Sequence, residues 1–332
     1  MRISRRKVLQ GSAALTTAAL ISTRGEAQAW RPTQNVRVIV PAPPGGITDA
    51  IGRIFAAHLQ TSWGQPTVVE NKSGGGGTIG TLDFIRQRQD GHVILIGNPG
   101  PNAIAHTIFR NIQYRPEQLV PVSNLICIPN LITAHPSIGI NSISELVAYA
   151  KANPEKLAYG TSGTGQTPHL TSAWLQQLTG IKMTHLPFRG AGPALTGALG
   201  GEPPILFDNL FPSLPQVLDG KLKGLAVTTL ERNPLAPNVS TVAESGIEAL
   251  SKFDLSSWIC AFYGEGTPAP MVESLNQQCR SFLETDDAKK RFAVIGARAD
   301  YQTTAQHKAF VQAEIEKFAG IIKREGLQMD VN

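Results

Sequence analysis

Short apolar runs alternate with longer amphipathic segments along most of this chain, and that alternation restricts the fold more than any single motif does. The runs at 36–40, 67–70, 93–96, 157–160, 183–186, 205–207 and 222–228 have the length and apolar character of strands. Between them, 50–61, 79–88, 143–152, 170–179 and 193–199 read as amphipathic helices. A strand followed by a crossover helix returns parallel to its neighbour. The pattern therefore predicts an α/β fold of βαβ units, with mainly parallel sheets flanked by helices. Gly- and Pro-rich turns separate the elements at 41–46, 73–77, 97–101, 160–165 and 264–270.

Two extended stretches, 120–134 and 256–263, are longer than one βαβ unit needs, and 271–283, 287–294 and 304–323 are helical. This suits two domains joined by crossing extended segments, with the C-terminal helices returning to cover the first. The expected boundaries are 30–131 with 256–332 for domain 1 and 132–255 for domain 2, hinged near 130–133 and 256–260. Ligands of open α/β sheets bind where strand ends, loops and helix N-termini converge, so the cleft between the domains is the expected site.

Residues 1–29 have the layout of a signal peptide. Arg2, Arg5, Arg6 and Lys7 precede a weakly apolar run from 8 to 21, and Ala27-Gln28-Ala29 fits a small-residue cleavage site. The run Ser4-Arg5-Arg6-Lys7-Val8-Leu9-Gln10 resembles the twin-arginine consensus, with Val and Gln where Phe and Lys are usual. An ordinary Sec signal is the alternative. A membrane anchor is not expected, because spanning takes about 20 apolar residues. Removing this segment leaves 25 basic against 24 acidic residues, so the net charge of +5 falls to +1. No basic surface remains from which to argue nucleic-acid binding. The three cysteines (Cys127, Cys260, Cys279) are too few for a disulfide scaffold and are expected as buried or partly buried thiols; a disulfide, if formed, would join Cys127 to Cys260.

Three glycine-rich loops follow predicted strands. In Pro41-Ala42-Pro43-Pro44-Gly45-Gly46-Ile47-Thr48-Asp49, the glycines expose backbone N–H groups where a helix begins, which favours an anion. Thr48 or Asp49 could equally be a plain N-cap. The second loop holds a formal G-x-G-x-x-G (Gly75, Gly77, Gly80), but the acid that a dinucleotide site needs about 20 residues on is missing. The third, 159–169, places Ser162, Gly165 and His169 in a strand–loop–helix setting. An exported hydrolase would use Ser162 as nucleophile and His169 as base, but Thr164 breaks the G-x-S-x-G elbow. Arg189 could clamp a carboxylate, and Asp208 with Asn209 could line the same sheet end or start the next helix. Scattered histidines without metal-ligand spacing give no metal site, and no cofactor is expected.

Taken in order, these motifs resemble the extracytoplasmic solute receptors of tripartite tricarboxylate transporters, the Bug or TctC-like family. Residues 41–53 (PAPPGGITDAIGR) are similar to its P-F-x-P-G-G-x-x-D-x-x-x-R, and 68–80 (VVENKSGGGGTIG) to its V-V-E-N-r-p-G-A-G-G-x-x-G. The stretches 159–170, 185–190 (HLPFRG), 220–228 (GKLKGLAVT) and 241–246 (TVAESG) follow, with Arg232, Trp258 and Gly266-Thr267-Pro268. The resemblance implies a type II periplasmic-binding-protein fold of two α/β domains closing on a small organic acid, and no enzymatic chemistry. It carries Gly45, Gly46, Thr48, Asp49, Ser162, Gly165 and His169 into the ligand site, with Arg189, Asp208 and Asn209 as further cleft positions. It also implies a monomeric periplasmic protein serving membrane permease subunits, with no membrane anchor; a receptor acting only in signalling is the alternative. Ala42 in place of the usual aromatic leaves the particular carboxylate open.

Overall fold

The central strands of this chain, at 36–40, 93–97 and 205–209, are rich in aliphatic residues and almost wholly buried, as parallel strands between helical layers must be. The computed structural model describes residues 30–330; the expected signal segment at 1–29 lies outside the described residues. The chain runs β1 (Val36–Val40), α1 (Ile47–Trp63), β2 (Thr67–Asn71), α2 (Thr78–Ile85), β3 (Val93–Gly97), α3 (Ala105–Ile108) and the long β4 (Leu119–Ala134). There follow α4 (Ile143–Ala152), β5 (Ala158–Thr161), α5 (Thr167–Thr179), β6 (Thr184–Pro187), α6 (Ala191–Leu199), β7 (Ile205–Asn209), α7 (Leu210–Leu218) and β8 (Lys223–Val227). The chain closes with β9 (Ser256–Gly264), α8 (Ala269–Glu284), α9 (Asp286–Ile295), the short β10 (Arg298–Ala299) and α10 (Thr304–Glu325).

The sheet has two halves of the same design. In the first, β1 lies between β2 and β3, all parallel, and β9 joins β3 antiparallel. In the second, β5 lies between β6 and β7, again parallel, and the end of β4 joins β7 antiparallel. Each trio thus takes its antiparallel neighbour from a strand that arrives from the other half. β4 serves both: Leu119–Pro129 pair with β9, while Asn130–Ala134 lie between β7 and β8. This repeated two-domain α/β plan is the predicted fold class.

One contiguous apolar cluster runs through both halves, from Ile39 and Phe84 to Phe207 and Leu170, with Trp258 and Phe318 buried in it. The Trp258 indole N–H donates to Glu314 at 2.9 Å, so the buried ring leaves no orphaned donor. All three cysteines are free thiols. Burial pushes the Cys127 thiol up to about 12, and Cys260 and Cys279 are raised as well.

Two helical segments differ from expectation. α7 contains Pro212 and Pro215, residues that break a helical pattern in sequence, yet Pro212 sits in the first turn, where no N–H is needed. The turn expected at 97–101 instead winds directly into the helical stretch Gly100–Ile104 that leads to α3. Among the described residues, no helix is long and apolar enough to cross a membrane.

The second glycine loop owes its composition to packing. A Cβ on Gly80 would fall 2.3 Å from the Lys72 carbonyl oxygen and 2.9 Å from the Pro41 Cα, both backbone atoms that cannot swing aside. The third glycine of the dinucleotide-like pattern thus lets α2 lie against the first loop. Gly80→Ala is expected to cost about 1–3 kcal/mol by overpacking, visible as a lowered midpoint in chemical denaturation of the ligand-free protein.

Candidate functional site

The first loop leaves β1 and enters α1 without a side-chain cap: Gly46 occupies the N-cap position. Thr48 and Asp49 are therefore not N-caps. Thr48 Oγ1 accepts from the Asn98 side chain at 3.2 Å, which ties the helix start to the end of β3. Asp49 is buried and fully engaged. Its oxygens accept from Gly45 N–H at 3.0 Å and Asn71 Nδ2 at 3.0 Å, and it pairs with Arg53 at 2.9 Å. Burial alone would raise its pKa; the Arg53, Gly45 and Asn71 hydrogen bonds outweigh burial and hold it below the ordinary value. Asn71 also donates to the Ala42 carbonyl, so Asp49 and Asn71 together staple the first loop.

The third loop is its counterpart in the second half. α5 begins after Gln166 with no side-chain cap and with Pro168 in its first turn. His169 is buried, and its Nδ1 accepts from Gly165 N–H at 3.3 Å. Its ring stacks on His185 at 4.4 Å, and His185 stacks in turn on Tyr159 at 5.0 Å. His185 Nε2 and Thr161 Oγ1 are 2.7 Å apart. Burial, with His185 alongside, depresses His169 to about 3, and burial depresses His185 to about 4. Both rings are neutral near pH 7. No hydrogen bond joins Ser162 to His169 among the described residues, so the nucleophile–base pair of a hydrolase is not assembled.

The remaining predicted positions divide. Asp208 is completely buried, accepting from Asn209 N–H at 2.8 Å and Ser213 Oγ at 3.0 Å, and burial raises its pKa to about 7. It orients the start of α7. Asn209 donates to Asn130 Oδ1 at 2.7 Å, and Asn130 donates to Thr171 of α5 at 2.7 Å. Arg189 is exposed and has no hydrogen bond or ion pair among the described residues. Sequence reasoning overlooked Asn98, which bonds Thr48, and Asn130, which bonds Asn209, because an isolated Asn carries no signal of its partners. Asn98 occupies in the first half the place that Asn209 occupies in the second, and only that repeat could have flagged it.

The two sides meet. A Cβ on Gly190 would fall 2.7 Å from Pro43 Cγ, and one on Gly76 would fall 2.8 Å from the Thr164 carbonyl oxygen. The helices that follow parallel strands and lead into this junction (α1, α2, α5, α6 and α7) all begin without a side-chain cap. Side-chain caps do occur, from Ser142, Thr285 and Thr303, on α4, α9 and α10, which lie outside the two βαβαβ units. An uncapped helix start leaves backbone N–H donors and partial positive charge. Such a set can hold anionic oxygens without a buried cation. No group of His, Cys, Asp and Glu able to hold a metal occurs among the described residues.

Comparison with known proteins agrees with this geometry. Residues 51–327 match the model of the tripartite tricarboxylate transporter family receptor. The chain is 32% identical to Protein BugT of Bordetella pertussis over 300 residues, covering 90% of this chain and 91% of that protein. An R. palustris protein solved with adipate superposes with a TM-score of 0.84 at 32% identity, covering 89% of this chain and 98% of the other. MatC from Rhodopseudomonas palustris with bound malate gives 0.82 at 29% identity, covering 88% and 99%.

The stacked histidines generate a pH test. Both are depressed below the unfolded value of about 6.5, so below that pH the unfolded chain takes up protons that the folded chain refuses. Their contribution to stability is full above pH 6.5 and is lost as pH falls toward 4. Asp208, raised to about 7, acts oppositely over 4 to 7 and flattens the wild-type curve. The destabilisation caused by His185→Gln should therefore shrink by about 1 kcal/mol per pH unit between pH 6.5 and 4.5. Urea unfolding of both proteins across that range measures it.

Proposed function

We propose that this chain, which belongs to the tripartite tricarboxylate transporter receptor family, captures a small mono- or dicarboxylate between its two halves for delivery to a membrane permease. It is a solute-binding receptor and not an enzyme. The observation that carries the carboxylate assignment is the set of uncapped helix starts at the junction, beside acids whose own oxygens are already occupied. Neutral N–H donors attract a carboxylate, and the engaged Asp49 and protonatable Asp208 do not repel it strongly. That two similar proteins carry adipate and malate supports the same chemistry here.

In this reading Gly45, Gly46, Thr48, Ser162, Gly165 and His169 face the ligand, while Asp49, Asp208 and Asn209 hold the frame. Arg189 stands at the edge. Domain 1 comprises 30–131 with 256–332 and domain 2 comprises 132–255, the hinge lying where β4 changes partners. The signal at 1–29 directs the receptor to the periplasm.

A thermal-shift screen against adipate, malate and other organic acids tests the assignment. A ligand at 100-fold its Kd stabilises by about 2.7 kcal/mol, and the absence of a shift with every carboxylate would sink it. Asp49→Ala removes the staple of the first loop and should weaken the bound acid about ten-fold by calorimetry, in line with the loss of charge-assisted hydrogen bonds. Arg189→Gln, at an exposed and unpaired position, should change affinity less than two-fold, on the order of 0.4 kcal/mol.

A further inference from the structure

Gln166 stands at the N-cap of α5, where a shorter Ser, Thr or Asp would fold back onto the helix. It does not. Its Nε2 donates to the Gly76 carbonyl at 2.8 Å, on the second loop of the other half. The arm crosses the face of Gly100: a Cβ there would fall 2.3 Å from Nε2 and 2.8 Å from Cδ of Gln166. Around it, Thr164 O approaches Gly76, and Gly165 lies against the Phe109 ring and Ile108. Residues 76, 100 and 109 belong to the first half and 164–166 to the second, so this one amide hydrogen-bonds across the junction beside the inferred anion site.

We propose that Gln166 is a positioning residue that latches the two halves over the bound acid, a role that rests on the carboxylate reading above. The same side chain does two things at once. By reaching outward it leaves the first N–H groups of α5 open to the ligand, and by bonding Gly76 it ties the loop that would otherwise move away with the first half. Its hydrogen bond is made only while the halves are together, so its contribution appears in how long the ligand stays.

Gly100 supplies an independent handle. It does not occupy left-handed backbone, so alanine is compatible with its conformation, and the added methyl displaces only the flexible end of Gln166. Gln166→Ala, Gly100→Ala and the double variant are compared with wild type, using adipate and malate as probes in stopped-flow dissociation. Each single variant should speed dissociation about three- to ten-fold, the range for one lost hydrogen bond. The double should be no faster than Gln166→Ala, because both substitutions remove the same contact. Additive effects, or unchanged dissociation in either single variant, would overturn the latch.

Hydrogen exchange of the ligand-free proteins decides the latch separately. Faster exchange within 74–80 in both single variants supports it; wild-type protection there overturns it even if adipate binds. Failure of adipate, malate and every other acid to bind any variant would overturn the carboxylate reading, while the exchange result would still judge the contact itself.

Discussion

Everything in this fold depends on one strand changing its hydrogen-bonding partners midway. β4 gives its first part to β9 and its last part to β7 and β8. A ladder that switches neighbours orphans backbone groups at the switch, and buried orphans are costly. Pro129 ends the first pairing with a residue that has no N–H to lose. At the next position Asn130 N–H donates to Thr228 Oγ1 at 2.9 Å, and its carbonyl accepts Thr228 N–H at 3.1 Å. The Asn130 amide then bonds Thr171, Asn209 and Thr167. A buried amide bonded through both its oxygen and its nitrogen helps to fix the local geometry. It sets the junction of the halves, and the start of α7 is fastened to it directly.

The charges near the junction follow from the same economy of buried polarity. Two carboxylates sit at loop bases in contrasting environments. Asp49 meets a guanidinium and N–H donors and stays ionised; Asp208 meets only a backbone N–H and a hydroxyl, and desolvation raises it toward neutrality. Neither is free. In the proposed reading, recognition is left to backbone donors at helix starts, whose positions are fixed by strands rather than by flexible side chains. Binding through such donors favours shape and charge over chemical detail, which suits a fold shared by proteins carrying adipate and malate.

What was legible in the sequence was whatever depends on local pattern. The aliphatic runs became β1 to β3 and β5 to β8 within a residue or two, and the long stretches became β4 and β9. The glycine loops marked the sheet ends because short polar residues there signal a turn in any context. What depends on distant partners was not legible. Asp208 and Asp49 gave no sign in sequence of the donors that hold them, Ser213 and Asn71 among them. Gln166 and Asn130 looked ordinary, since their roles lie in residues dozens of positions away. The G-x-G-x-x-G pattern was set aside for want of its acid, but the need for its last glycine, set by the Lys72 and Pro41 backbones, was not visible.

The route of the chain also orders its assembly in time. The second half needs only residues 130–227 for its five strands, a single continuous stretch. The first half starts with β1, yet the edge of β3 has no neighbour until β9 is made at 256–264, more than a hundred residues later. An unpaired edge on a waiting sheet invites wrong partners. The portion synthesised first is therefore the last to be sealed, and chaperone protection during synthesis matters most for the strand trio β2-β1-β3.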